Sequence, residues 1–111
     1  MNSYIVRLSF PNDRTVYKAG YLIAPGLAVH LETASSGKQT RYWNITHTES
    51  GYSVFERLKT RKDAVAIAEC FLLPLTDWRL SKDKLMQSGS IKVIAALRHV
   101  LYERKVLTTT T

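Results

Sequence analysis

Apolar and polar residues alternate along several segments of the first half of the chain, and this spacing is typical of β-strands that bury one face. The segments are rich in β-branched and aromatic residues, and turn formers such as Pro11 and Gly26 separate them. The pattern predicts strands at 4–10, 27–32, 41–47 and 52–57. Residues 15–24 fit either an irregular strand or a loop.

Apolar residues recur at helical spacing after Thr60, which with Asp63 forms a variant of the capping box. A helix is therefore predicted at 61–73, ended by Pro74. Its apolar stripe is predicted to contain Ala64, Val65, Ile67, Ala68, Phe71 and Leu72. We expect Phe71 to meet a tryptophan of the sheet, Trp43.

Two further helical segments follow in the last third of the chain. Ser81 caps a short turn that runs to residue 87, and Ser90 opens a helix at 91–107. This helix carries an apolar stripe of Ile94, Leu97, Val100, Leu101 and Val106. The stripe packs on the core or pairs with a second copy, so a homodimer through this C-terminal helix is one expectation.

The elements together predict an α+β domain. The loop at 33–40 is too short for a crossover helix, so strands 27–32 and 41–47 should be antiparallel neighbours. The fold class is thus an antiparallel sheet of three to five strands, packed by one central helix, with a second C-terminal helix. Residues 1–107 form a single basic domain, and 108–111 a frayed tail.

Alternation assigns the two faces of strand 41–47. Trp43 and Ile45 are predicted to face the core. The alternate residues Tyr42, Asn44 and Thr46 are predicted to project away from it. An outward surface of this kind could stack on bases or contact groove edges. Good strand formers on a half-solvated sheet would look the same, and that interpretation is about equally supported.

Charge changes this picture, because 16 Lys and Arg against 9 Asp and Glu give a net charge of +7 in 111 residues. Such a balance attracts phosphate polymers. Nucleic acid is therefore the predicted partner and DNA the preferred form. The candidate nucleic-acid-binding residues are Arg41, Tyr42, Asn44, Arg57, Lys59, Arg61 and Lys62. A protein partner, such as an enzyme inhibited by this chain, is the alternative.

Residues with catalytic or metal-binding chemistry are few. His30 and His47 could act as acid and base in a small ribonuclease, which is a second alternative, although alternation places them on opposite faces. His, Cys and acidic residues lack metal-ligand spacing, so no metal, cofactor or enzymatic activity is predicted. Cys70 fits a buried small hydrophobic residue. In the loop at 33–40, a phosphate cradle is less well supported than a solvated turn.

Two resemblances bear on function. The order of three strands followed by a helix, with Trp43, Thr60, Ala64 and Ala68, is similar to AP2-type DNA-binding domains, which read DNA through their sheet. The arginine-rich strand positions of that family are mostly Asn, Thr and Tyr in this chain. The segment at 43–54 looks like small phage and mobile-element proteins, which implies a genomic context but no activity. The predicted function is a non-enzymatic nucleic-acid-binding protein with an accessory or regulatory role in a phage, plasmid or other mobile element.

The N-terminus lacks the apolar run of a secretory signal, and no stretch approaches the length of a membrane span. A cytoplasmic location with no membrane partner is therefore expected.

Overall fold

The computed structural model of the protein describes residues 2–10, 13–33 and 38–103. Five strands form one antiparallel sheet in which each strand pairs with the next along the chain. This confirms the predicted α+β class and the upper end of the predicted strand number. The strands are β1 (Asn2–Phe10), β2 (Arg14–Ala24), β3 (Leu27–Thr33), β4 (Gln39–His47) and β5 (Ser53–Leu58).

Strand β2 occupies the segment that the sequence left open between a strand and a loop. It pairs with β1 over most of its length, from Asn2 opposite Leu22 to Phe10 opposite Arg14. Lys18 and Gly20 interrupt the apolar alternation on one face of β2, and this interruption hid the strand signal in the sequence.

The sheet curls, so that the end of β1 reaches the turn between β4 and β5. The backbone N–H of Ser9 donates to the carbonyl oxygen of Gly51 at 2.9 Å. The hydroxyl of Ser9 donates to the carbonyl oxygen of Ser50, also at 2.9 Å. The curl buries a second, smaller core on the inner face of the sheet, formed by Val6, Leu8 and Ala28 with Val16 and Leu22 against them.

The inner core corrects the predicted faces of β4. Trp43 and Ile45 do face the main core, as expected. The opposite face is not a solvated surface, because Thr46 is fully buried and Asn44 is 9% exposed. Alternation separates two faces but cannot show that the chain covers both of them.

The main core lies between the outer face of the sheet and the helices. It contains Leu27, Val29, Ile45, Phe55, Leu58, Ile67, Leu72, Trp78, Ile94 and Leu101, among other residues. Trp78 comes from the segment between the helices, and its Nε1–H donates to the carbonyl oxygen of Leu72 at 2.6 Å. The Cα radius of gyration is 13.1 Å, as expected of a compact chain of this length.

The predicted central helix is present in two parts, α1 (Arg61–Ile67) and a π-helical segment, Ala68–Leu72. The other helices are α2 (Lys82–Gln87) and α3 (Ser90–Glu103). Thr60 caps α1 and Ser81 caps α2, as predicted. The frayed tail and the last positions of the predicted 91–107 helix lie outside the described residues.

Three apolar residues of the helices are more exposed than predicted. Cys70 is exposed, because it lies two positions from both Ala68 and Leu72 and residues so spaced do not share a helix face. Phe71 is 51% exposed and does not join the core with Trp43. The π-turn, closed by a bond from the N–H of Leu73 to the carbonyl oxygen of Ala68, rotates Phe71 off the buried stripe. Val100 is 44% exposed.

Candidate functional site

The predicted site residues divide between two parts of the sheet. One part is an inner cluster of Glu32, Tyr42, Asn44 and Arg57. The other is a basic rim of Arg41, Lys59, Arg61 and Lys62, at the ends of β4 and β5 and the start of α1. The sequence grouped all seven predicted residues on one surface. The structure brings together three of them in the cluster and four in the rim.

The inner cluster is held by contacts within the chain. The Arg57 guanidinium pairs with the Glu32 carboxylate at 3.0 Å and lies 4.6 Å from the ring centre of Tyr42. The backbone N–H of Arg57 donates to the side-chain oxygen of Asn44 at 2.9 Å. Arg57 has a φ of 62°, in the left-handed region that non-glycine residues rarely adopt. These contacts favour a structural role for Arg57, in which they hold its left-handed backbone near the end of β5.

The basic rim presents exposed cations. All four of its side chains are exposed. Among the described residues, no carboxylate lies within 4.0 Å of them. Trp43 pairs with Leu58, so Arg41 and Lys59 extend from adjacent strands at the same end of the sheet. The rim is therefore a local concentration of positive charge.

Two aromatic rings lie beside the rim. The Arg61 guanidinium carbon is 4.7 Å from the centre of the Tyr21 ring, and Tyr21 is 6.4 Å from Trp43, centre to centre. Both rings are half-buried against the main core. A guanidinium held over a ring loses less freedom when its other face stacks on a base. Tyr21 was missed in the sequence because the strand that carries it could not be assigned.

The two sheet histidines are buried on opposite faces. His30 pairs with Asn44 in the register of β3 and β4, whereas His47 pairs with Leu27. His30 Nε2 contacts the hydroxyl of Thr46 at 2.7 Å, and desolvation lowers the pKa of the ring. His47 Nε2 faces the carbonyl oxygens of Trp78 and Leu80, at 3.0 and 2.9 Å. The opposite faces agree with the alternation of the sequence, and in this geometry the two histidines of the ribonuclease alternative share no site.

A pocket of about 170 Å³ lies between the turn at 48–52, α2 and α3. Its apolar wall includes Val54, Leu85 and Ile94. Lys82 and Arg98 also line it, and no Asp or Glu of the described ranges does. The sequence pattern did not reveal the pocket, since its residues come from four separate segments.

The part of the chain that the structure describes holds no cluster of metal ligands, because no three His, Cys, Asp or Glu side chains there are grouped so as to hold an ion. The described helices include none with the length and apolar character to cross a membrane. Most of the loop at 33–40, where a solvated turn is predicted in preference to a phosphate cradle, lies outside the described residues, at 34–37.

No family model, curated protein or solved structure matches this chain. The resemblances to AP2-type domains and to mobile-element proteins therefore stay predictions, and function has to be inferred from the site.

Proposed function

We propose that the protein is a non-enzymatic nucleic-acid-binding protein that uses the basic rim. The observation that carries the proposal is the Arg61 guanidinium over Tyr21, with three exposed cations beside it. The cations would neutralise phosphates, and the outer face of the guanidinium would stack on a base. Single-stranded nucleic acid suits this arrangement best, because its bases are free to stack.

Binding is tested by fluorescence anisotropy with labelled single-stranded DNA, duplex DNA and RNA. The expected dissociation constant is on the order of micromolar at low salt, with affinity falling steeply between about 50 and about 200 mM salt. Lys59→Glu with Lys62→Glu should weaken binding at least tenfold. Lys84→Glu with Lys92→Glu changes the net charge equally on α2 and α3 and should weaken it much less.

Arg61→Lys separates stacking from charge. The variant keeps the cation but loses the planar group, so the slope of affinity against salt should stay while affinity for single strands falls several-fold. An equal loss of affinity in the rim variant and in the control variant would show that binding depends on net charge and not on the rim. No binding at low salt would refute the proposal.

A protein partner remains the alternative, and a separate surface supports it. Ile5 and Tyr17 are 64% and 67% exposed, and the β1–β2 register places both on the outer face of the hairpin. Ile5→Lys with Tyr17→Ser should abolish protein capture from nuclease-treated lysate and leave nucleic-acid binding unchanged if this surface acts. A phage or plasmid context, a cytoplasmic location and a homodimer through α3 also stay predictions.

A further inference from the structure

We propose that the pocket between the turn at 48–52, α2 and α3 binds a small organic carboxylate with an apolar group about the size of a phenyl ring. The site is separate from the basic rim, and the proposal does not depend on nucleic-acid binding. Size, the state of the polar lining groups and charge each support it.

The volume sets the size of the ligand. The pocket measures about 170 Å³. An apolar cavity of about 150 Å³ accommodates benzene, so one phenyl or branched alkyl group fits and a long chain does not. Val54, Leu85 and Ile94 are 5–6% exposed and form its apolar wall. Tyr52, Met86 and Ile91, which are 41–56% exposed, lie at its open side.

The polar groups along the wall already have partners. The Ser50 hydroxyl contacts His47 Nδ1 at 2.7 Å, and the other ring nitrogen of His47 faces two carbonyl oxygens. The Ser53 hydroxyl donates to the Glu56 carboxylate at 2.7 Å. Apart from the two cations, Lys82 and Arg98, a ligand inside the pocket therefore meets little unsatisfied hydrogen-bonding capacity, which favours an apolar group.

The two cations set the charge of the ligand. Lys82 Nζ lies 4.2 Å from the ring centre of Tyr52. The Arg98 guanidinium donates through Nη2 to the carbonyl oxygen of Val54, which leaves its other N–H groups available. Among the described residues, neither cation pairs with a carboxylate. A carboxylate suits a pocket lined by an ammonium and a guanidinium, because its oxygens accept hydrogen bonds from both kinds of group.

The test is a titration of the ¹⁵N-labelled protein, followed by amide chemical shifts, with three probes of one shape. We expect 3-phenylpropanoate to bind saturably with a dissociation constant of about 1 mM or lower. The neutral 3-phenylpropanamide should bind at least tenfold more weakly, and 3-phenylpropylamine should not bind. The shifts should centre on residues 52–54 and on α2 and α3.

Variants then locate the site. Lys82→Met and Arg98→Lys should each weaken binding of 3-phenylpropanoate at least threefold. Lys84→Met and Lys92→Met, which remove exposed cations from the same two helices, should change it less than twofold. Ala95→Phe, on the exposed side of α3, should fill the pocket and abolish binding while the far-ultraviolet circular dichroism stays unchanged.

Three results would overturn the proposal. The first is the absence of saturable shifts with 3-phenylpropanoate at about 10 mM in a folded wild type. The second is equal affinity for the acid and the amide, which would give the cations no part in binding. The third is binding that survives Ala95→Phe, which would place the ligand elsewhere.

Discussion

At the scale of single residues, His30 shows how burial changes a titratable side chain. The ring is 2% exposed, with Nδ1 at 2.9 Å from the carbonyl oxygen of Leu31 and Nε2 at 2.7 Å from the hydroxyl of Thr46. Desolvation lowers the pKa of His30, the positive charge of Lys18 lowers it further, and the bond to Leu31 opposes both. Because the carbonyl oxygen of Leu31 can only accept, Nδ1 of the neutral ring carries the proton and donates to it. Nε2 then accepts from the hydroxyl of Thr46.

The lowered pKa predicts acid sensitivity. Above the ordinary pKa of 6.5 the ring is neutral in both states, and its contribution to the free energy of unfolding is complete. As the pH falls below that value, the unfolded chain takes up a proton that the folded chain resists, so stability is lost, by at most about 1.4 kcal/mol per pH unit. Urea unfolding at about pH 7.5 and about pH 5.5 measures this loss.

His30→Gln keeps polar atoms at the site but does not titrate. The variant should be less stable than wild type at both pH values, with a smaller difference between them. His99→Gln is the matched control, since His99 is exposed and its ion-pair partner among the described residues is Glu103, one helical turn away. An equal pH difference in wild type and His30→Gln would contradict the assignment of the acid sensitivity to His30.

At the scale of elements, the start of α1 depends on one hydroxyl. The Thr60 Oγ accepts from the backbone N–H of Asp63 at 3.0 Å and satisfies a donor that the helix leaves free. The same helix start supports the basic rim, because Arg61 and Lys62 are its first residues. Cap and rim are therefore linked.

Thr60→Ala should lower the free energy of unfolding by about 1 kcal/mol, because the N–H of Asp63 loses its partner. Thr60→Ser keeps the hydroxyl and should stay within about 0.5 kcal/mol of wild type. Chemical denaturation followed by circular dichroism measures both. If fraying of this turn disorders Arg61, Thr60→Ala should also weaken nucleic-acid binding in the anisotropy assay. Equal free energies of unfolding for Thr60→Ala and Thr60→Ser would contradict a stabilising role of the Thr60 hydroxyl.

At the scale of the whole molecule, the contact between β1 and the β4–β5 turn determines the curl of the sheet. Gly51 adopts a φ of +77°, and its carbonyl oxygen accepts from the N–H of Ser9. A Cβ at this position would lie 2.9 Å from the nitrogen of Ser9 and 3.0 Å from the carbonyl oxygen of Arg7. A side chain there would push β1 away from the turn.

Gly51→Ala should therefore destabilise the fold by about 2–3 kcal/mol, through backbone strain and the displacement of β1. Gly89→Ala is the matched control, since Gly89 has a φ of +80° but a Cβ added there would meet no atom within 4 Å. The control should show the strain alone, about 1 kcal/mol. Amide hydrogen exchange in β1 should become faster in Gly51→Ala only. An equal loss of unfolding free energy in both variants would exclude a stabilising role for the contact between Ser9 and Gly51.

Local pattern was sufficient for most elements of this protein. The hairpin at 41–57, the cap at Thr60 and the helix starts at Ser81 and Ser90 could be predicted because neighbouring residues determine them. The outer face of β4 was also predicted correctly. The net positive charge and the cations of the rim follow from composition and position alone.

Only the tertiary structure decided which polar residues face solvent and which face the interior. Asn44, Thr46 and His30 alternate like surface residues, but they are at most 9% exposed. They lie on the inner face of the curled sheet, where β1 and β2 contribute to a second core. Tyr21 joins the rim and Lys82 meets Tyr52 through contacts between segments far apart in the chain. Alternation along one strand shows which side chains share a face of the sheet. Whether that face is buried depends on which other segments of the chain pack against it.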